Sequence, residues 1–306
     1  MDRHTTRWIQ RKSRREQQRR ISALARFDEW LQATYGTEPK TLLVEAKQSD
    51  SGPDKVDRVL KEYSNFLVSE KKRAKTSSDQ WFSLLRRYFT VNGVSLTGHP
   101  HKPYIKPDYE KNILPSQESV KKMVQTSDNP RDKFLIAFFA QSGQRIAIPT
   151  AMKRNMITEV ASGHGLVKVP QTFPNPQGEN VNELKLPYTF VVGRNTMRLL
   201  DQLPRYEGGW LLDISLRQIA RIVDEAAGAI RIQKKERTDV GRSWSTVHPN
   251  TFRKYWKNQM KAAGTDFGLI LHMMGQSIPK VLGSYELTDG QLLEAYKKAE
   301  SKLEVL

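Results

Sequence analysis

The 306-residue chain has no cysteine. That excludes disulfides, thiolate nucleophiles and Cys-based zinc sites, and it fits a reducing compartment such as the cytoplasm. The sequence has no apolar run near the roughly 18 residues that a membrane-spanning helix needs. The opening stretch, MDRHTTRWIQRKSRREQQRR, lacks the apolar core of a secretory signal. The six histidines show no HxxxH or HExxH spacing, so no metal site is expected. There is no GxxxxGKS/T loop, so ATP is not implied and no cofactor is expected. Acidic residues are scarce too: 33 Asp+Glu face 50 Lys+Arg, giving a net charge of +17. An excess of this size favours a polyanionic partner. Without a membrane segment, that partner is expected to be nucleic acid, and the location cytoplasmic and DNA-associated.

What is present reads as a globular protein, with 38% hydrophobic and 9% aromatic residues. Residues 1–20 carry eight Arg+Lys against two acids and read as a basic arm for phosphates. Residues 21–95 read as a unit of small helices. Leu24, Phe27, Trp30 and Leu31 recur at helical spacing, with Gly36 as a stop. Val56, Leu60, Tyr63 and Phe66 repeat the pattern. A third helix is expected to start at a Ser77–Gln80 capping box and to bury Trp81, Leu84, Leu85 and Tyr88, leaving Arg86 and Arg87 outside. Aromatics at this spacing indicate core rather than base-stacking platforms. Residues 96–115 hold four prolines and three lysines and read as a linker strapped over a nucleic-acid backbone.

Residues 116–306 form the larger unit. RDKFLIAFFAQSG is apolar nearly all round from Phe134 to Ala140, which predicts a buried helix. GLVKVPQTF and NVNELKLPYTF flank PNPQGE and predict a β-hairpin. SLRQIARIVDEAAGAI, HPNTFRKYWKNQMKAAG and the final TDGQLLEAYKKAESKLEVL predict helices; the second has Pro249 in its first turn and Gly264 beyond its end. The class is therefore mostly α with a small sheet.

Three places in this unit carry candidate chemistry. Arg145, in QSGQRIA, follows the buried helix and by itself reads as a surface residue. In HPNTFRKYW, Asn250 and Arg253 share a helix face with Lys257 one turn on, while Phe252, Trp256 and Met260 anchor the helix. Read in isolation, that face is a solvated charged one. In HMMGQSIPKVLGSYEL, Tyr285 stands ten residues after Gly275 and by itself reads as a core aromatic.

Their order changes the reading. An Arg, a β-hairpin, a helix opening on Asn-x-x-Arg, a Gly-Gln-Ser and then a Tyr together resemble the tyrosine recombinase (phage integrase) family, in a divergent form of the kind found among archaeal and viral members. The resemblance covers nearly the whole chain from about residue 20. It implies a helical core-binding domain followed by an α+β catalytic domain. It implies Tyr285 as the nucleophile on a DNA phosphodiester, giving a 3′-phosphotyrosyl link and a free 5′-hydroxyl. Arg145 and Arg253 would clamp the non-bridging oxygens. Arg86, Arg87, Lys254 and Lys257 are candidate DNA-backbone contacts. Double-stranded DNA and a homotetramer on two DNA sites are the implied partners, and integration or recombination of a mobile element the implied role.

The pattern departs from the family at several positions. Asn250 stands where a His is usual, and Gln276 where a His or Trp is usual. Asn and Gln can donate to a phosphate oxygen but cannot act as bases near neutrality. His248, two residues before Asn250, is a possible substitute. The lysine expected near the hairpin turn is missing, leaving Lys185 and Lys168 on the flanking strands; of the two, Lys185 is taken as the candidate. Ile148 occupies a position where an acid is common. Two other readings stay open: a type IB topoisomerase-like nicking and closing enzyme, and a catalytically degenerate DNA-binding relative. The last helix, through Leu292, Leu293, Tyr296 and Ala299, docks either on a neighbouring protomer or on its own chain.

Overall fold

A computed structural model describes residues 3–10, 14–69, 75–96, 114–182, 186–233, 235–237, 243–278 and 287–306. The chain divides into two compact units, one within Met1–Pro107 and the other in Asp108–Arg237 and Ser243–Leu306. Most of the expected linker lies outside the described residues.

The first unit is helical: α1 (Arg3–Ile9), α2 (Arg14–Tyr35), α3 (Pro39–Gln48), α4 (Gly52–Ser69) and α5 (Lys75–Val91). Its core is an aromatic cluster in which Phe27 lies edge-on to Tyr63 at 5.1 Å and Trp30 lies against the same ring at 5.1 Å. The helical periodicity places Phe27, Leu31, Val56, Leu60 and Tyr63 inside, as expected, with Gly36 ending α2 at positive φ.

Three expectations for this unit are corrected. The segment read as a basic arm is in part core: Trp8 and Ile9 of α1 are buried, and the Arg20 guanidinium sits over the Trp8 ring, bonding to the Trp8 carbonyl and Glu16. An indole this large removes more apolar surface from water than an exposed arm allows. The buried stripe of α5 is rotated by one residue from the expected one. Phe82, Leu85 and Phe89 are its centre, and Trp81 and Leu84 are only partly buried. Because α5 is already helical at Lys75, Ser77 lies inside it and does not begin it.

The second unit is built around α7 (Pro130–Ser142), whose residues Phe134 to Ala140 are all fully buried. A helix with no polar face is stable in water only when other elements cover every side. Here α6 (Gln117–Thr126), α9 (Arg194–Leu200), α10 (Leu216–Ala229) and α11 (Pro249–Ala262) cover it, together with the sheet. The sheet is antiparallel in the order β1 (Ile157–Glu159), β2 (Gly165–Val169), β3 (Tyr188–Val192), with Val167 opposite Phe190. The expected hairpin is thus β2–β3; β1 adds a strand that three mostly exposed residues could not signal. A short α8 (Ile148–Ala151), a β4–β5 pair (Lys235–Arg237, Ser243–Ser245) and α12 (Phe267–Met273) complete the unit with α13 (Asp289–Leu303).

One buried polar side chain links several elements of this unit. Gln141, at the end of α7, accepts from the Thr196 amide and hydroxyl at 3.0 and 2.8 Å. It donates to the Leu303 carbonyl at 3.1 Å and to Asn195 at 3.3 Å, so one side chain ties α7, α9 and the chain end. The last helix therefore folds onto its own chain. Leu292, Tyr296, Ala299 and Leu303 are buried, and Glu300 of α13 takes both Arg194 at 2.8 Å and His164 at 2.9 Å. The Tyr296 hydroxyl is buried without a hydrogen-bond partner among the described residues, pressed on Gly193 where no Cβ would fit. An unsatisfied buried hydroxyl is destabilising, so Tyr296→Phe is expected to raise stability by about 1 kcal/mol in urea denaturation. A clear loss would mean the hydroxyl has a partner.

Candidate active site

The site forms where the turn after α7 meets α11 and the end of α12. Gly143 ends α7 in the left-handed region (φ 62), and a Cβ there would stand 2.7 Å from the Trp256 ring. Trp256 also donates its indole N–H to the Gln141 carbonyl at 2.9 Å, so α11 is pinned across the turn. A second glycine, Gly275 (φ 58), ends α12. The Gly275 amide bonds to the His272 carbonyl at 2.7 Å and the Gln276 amide to the Leu271 carbonyl at 2.9 Å, the paired bonds of a Schellman cap.

A helix end leaves its last carbonyls without intrahelical donors. Here three consecutive carbonyls are taken by side chains from elsewhere in the chain. Gln144 donates to Met273 at 2.7 Å, Arg253 to Met274 at 2.6 Å and Arg145 to Gly275 at 3.2 Å. Arg253 also donates to the Gly143 carbonyl at 2.9 Å. Carbonyls at a helix C-terminus carry partial negative charge, which suits two cations. The result is that Arg145 and Arg253 converge on neighbouring peptide units. Arg253 is only 8% exposed, so it is a rigid wall of the site rather than a surface charge. A guanidinium has five N–H donors, so one that holds two carbonyls can still face an anion.

Behind the arginines lies a polar pair. Tyr188, at the start of β3, donates to the Gln144 side-chain oxygen at 3.0 Å, and its ring packs so closely on Gly275 that a Cβ there would be 2.5 Å away. Burial pushes the Tyr188 phenol up to about 12, against the opposing pull of Arg145 and Arg253. It is therefore a protonated donor at neutral pH.

The other candidates are placed as follows. Asn250 is exposed in the first turn of α11, one turn before Arg253, and Gln276 is half-buried just past the Schellman cap. His248 caps α11: its Nδ1 accepts from the Asn250 amide at 3.2 Å. Burial, and then the Lys254 charge, lower its pKa, which keeps the ring neutral as this acceptor role requires. Lys168 is exposed and paired with Asp289 at 2.8 Å. Lys254 is exposed, while the Lys257 ammonium lies 4.9 Å from the centre of the Phe267 ring. In the first unit Arg87 is exposed as expected, but Arg86 is not outside: it is half-buried and donates to the Leu96 carbonyl at 2.5 Å. That carbonyl, in the segment leaving α5, draws the guanidinium back onto its own chain. Tyr285 and Lys185 lie outside the described residues.

Among solved structures, the chain is similar to the Tn1549 transposon integrase in complex with transposon right end DNA, at 12% identity over 90% of this chain and 98% of that one, with a TM-score of 0.53. It is also similar to the XerH site-specific recombinase bound to difH substrate in a pre-cleavage complex, at 13% identity over 77% and 68% of the two chains, with a TM-score of 0.51. No protein-family model matches the sequence, and neither does any curated protein. The chain has the tyrosine recombinase fold. Within that fold, sequence reading overlooked Gln144, Tyr188 and His272. Gln144 directly precedes Arg145, and His272 stands three residues before Gly275, so position relative to the motifs was the available signal. His272 accepts from the Thr189 amide at 3.2 Å and so tethers α12 to the edge of β3.

Burial lowers the pKa of His164, His248 and His272. An unfolded chain takes up protons at these positions near 6.5, which the folded chain resists. Their stabilisation is thus complete above about pH 6.5 and is lost as pH falls below it toward the lowered folded values. The melting temperature is expected to drop between about pH 7.5 and about pH 5.5, and less steeply in His272→Gln, whose amide oxygen can still accept from Thr189. An unchanged slope in that variant would place the titration elsewhere.

Proposed function

We propose that this protein is a site-specific DNA recombinase or integrase that cuts and rejoins duplex DNA through a 3′-phosphotyrosyl intermediate. The observation that carries the reading is the convergence of Arg145 and Arg253 on the Met274 and Gly275 carbonyls. A pair of fixed guanidiniums suits the charge that builds on a phosphodiester in transesterification. The fold it shares with two DNA-bound relatives, and a net charge of +17, fit duplex DNA as the substrate.

In this reading the Tyr285 hydroxyl attacks the scissile phosphorus. A bond forms between phosphorus and the phenolic oxygen, and the bond to the 5′-oxygen breaks. The phenolic proton passes to a base, and the departing 5′-oxygen takes up a proton. Attack by a 5′-hydroxyl of another strand reverses these steps and rejoins the DNA, so the phosphoester bond is conserved and no ATP is needed. Arg145 and Arg253 hold the non-bridging oxygens, and Asn250 and Gln276 donate hydrogen bonds to them. The Nδ1 of His248 already serves its own helix, which disfavours that nitrogen as the base. Lys168 has a carboxylate partner, so Lys185 is the better candidate to protonate the 5′-oxygen. Recombination of two sites calls for several copies on DNA, for which a homotetramer is the assembly proposed.

A nicked suicide substrate, which loses its 5′-end fragment after cleavage, traps the covalent adduct. Wild type is expected to form an SDS-resistant adduct and Tyr285→Phe none. Arg145→Ala and Arg253→Lys are expected to slow adduct formation by at least about 100-fold while DNA affinity changes only a few-fold. Equal losses of binding and cleavage would count against the clamp. Absence of the adduct in wild type would leave the degenerate DNA-binding reading. Asn250→His is expected to retain or raise cleavage, and an inactive variant would show that the site has diverged beyond accepting the usual residue.

A further inference from the structure

We propose that Gln144 and Tyr188 act as a positioning pair, setting the relative placement of the two guanidiniums without touching DNA; this rests on the clamp role proposed above. Gln144 is 1% exposed, yet every part of its amide is engaged. It donates to the Ser142 carbonyl at 3.0 Å and the Met273 carbonyl at 2.7 Å, and accepts from Tyr188 at 3.0 Å. Polar side chains are expensive to bury unless fully bonded, and an apolar pair would fill this space without that demand. What the polar pair adds is direction.

Gln144 lies in the chain between Gly143, whose carbonyl Arg253 holds, and Arg145 itself. Its own side chain reaches Met273, next to the Met274 and Gly275 units that the arginines hold. Tyr188 closes the frame by packing its ring on Gly275 while its hydroxyl fixes the Gln144 amide. A rotation of that amide therefore moves the supports of both guanidiniums together. Misplacing a catalytic group by about 1 Å can slow a reaction by about 100-fold. The pair also links the clamp to β3, the second strand of the hairpin.

The test compares wild type, Tyr188→Phe, Gln144→Met and the double variant in the suicide-substrate assay, with DNA affinity and melting temperature measured alongside. Tyr188→Phe keeps the ring on Gly275 and removes only the hydroxyl, so it preserves the fold even if Gln144→Met loosens it. Losing one neutral hydrogen bond from the frame should slow adduct formation about ten-fold. Affinity should change by less than about two-fold, and the double variant should be no worse than Gln144→Met alone. The decisive readout uses a methylphosphonate at the scissile position, which carries no charge for the guanidiniums to neutralise. If the pair acts through the clamp, the Tyr188→Phe defect shrinks on this substrate; a purely structural defect is the same on both. An unshrunk defect, or an active wild type with an equally active Tyr188→Phe, overturns this inference alone. A wild type that forms no adduct overturns the proposed function and this inference with it.

Discussion

The site depends on the unmet hydrogen-bonding demand of one helix end. The C-terminal end of α12 and its cap present the Met273, Met274 and Gly275 carbonyls in succession, and Gln144, Arg253 and Arg145 supply the donors. Because these donors come from two distant parts of the sequence, satisfying the helix end brings together groups that the chain keeps far apart. Local backbone chemistry thereby becomes a tertiary constraint. Hydrogen bonds from charged donors contribute about 1.5–3 kcal/mol each, enough to hold long flexible side chains in one arrangement.

The rest of the second unit makes that arrangement stiff. The wholly apolar stretch Phe134–Ala140 of α7 leaves no alternative to a central position, and Gly143 turns the chain beneath Trp256 at the helix end. Two residues earlier in the chain, Gln141 fixes α9 and the chain end. Glu300 of α13 then gathers His164 and Arg194. Neutral His164 suits this place, with one ring nitrogen facing Ser162 and the other the carboxylate. The C-terminal helix is thus an integral layer of the fold, although on sequence alone it was equally free to dock on another protomer.

Much of this was legible from the residues. The periodicity of α11 identified Phe252, Trp256 and Met260 as its buried stripe, and Pro249 and Gly264 marked its limits. The hairpin followed from two β-rich runs around a Pro/Gly/Asn turn. Of the ordered Arg and Asn-x-x-Arg signals, the two arginines, Arg145 and Arg253, hold neighbouring carbonyls. What stayed hidden shares one cause: a polar residue reads as surface unless its partners are known. Gln144, Gln141 and Tyr188 are buried because each finds a matching donor or acceptor more than 40 positions away. Arg86 and Arg20 misled in the same way, their guanidiniums bonded to nearby carbonyls instead of facing outward. On α5 adjacent aromatics, Trp81–Phe82 and Tyr88–Phe89, left the phase of the stripe ambiguous by one residue.

A structure of the protein bound to a DNA duplex containing its scissile phosphate tests the placement of the two guanidiniums directly. Guanidinium nitrogens of both Arg145 and Arg253 are expected within about 3 Å of the non-bridging oxygens of one phosphate, with the Met274 and Gly275 carbonyls still held. Arginines bound to different phosphates, or one of them turned away from the DNA, would contradict it.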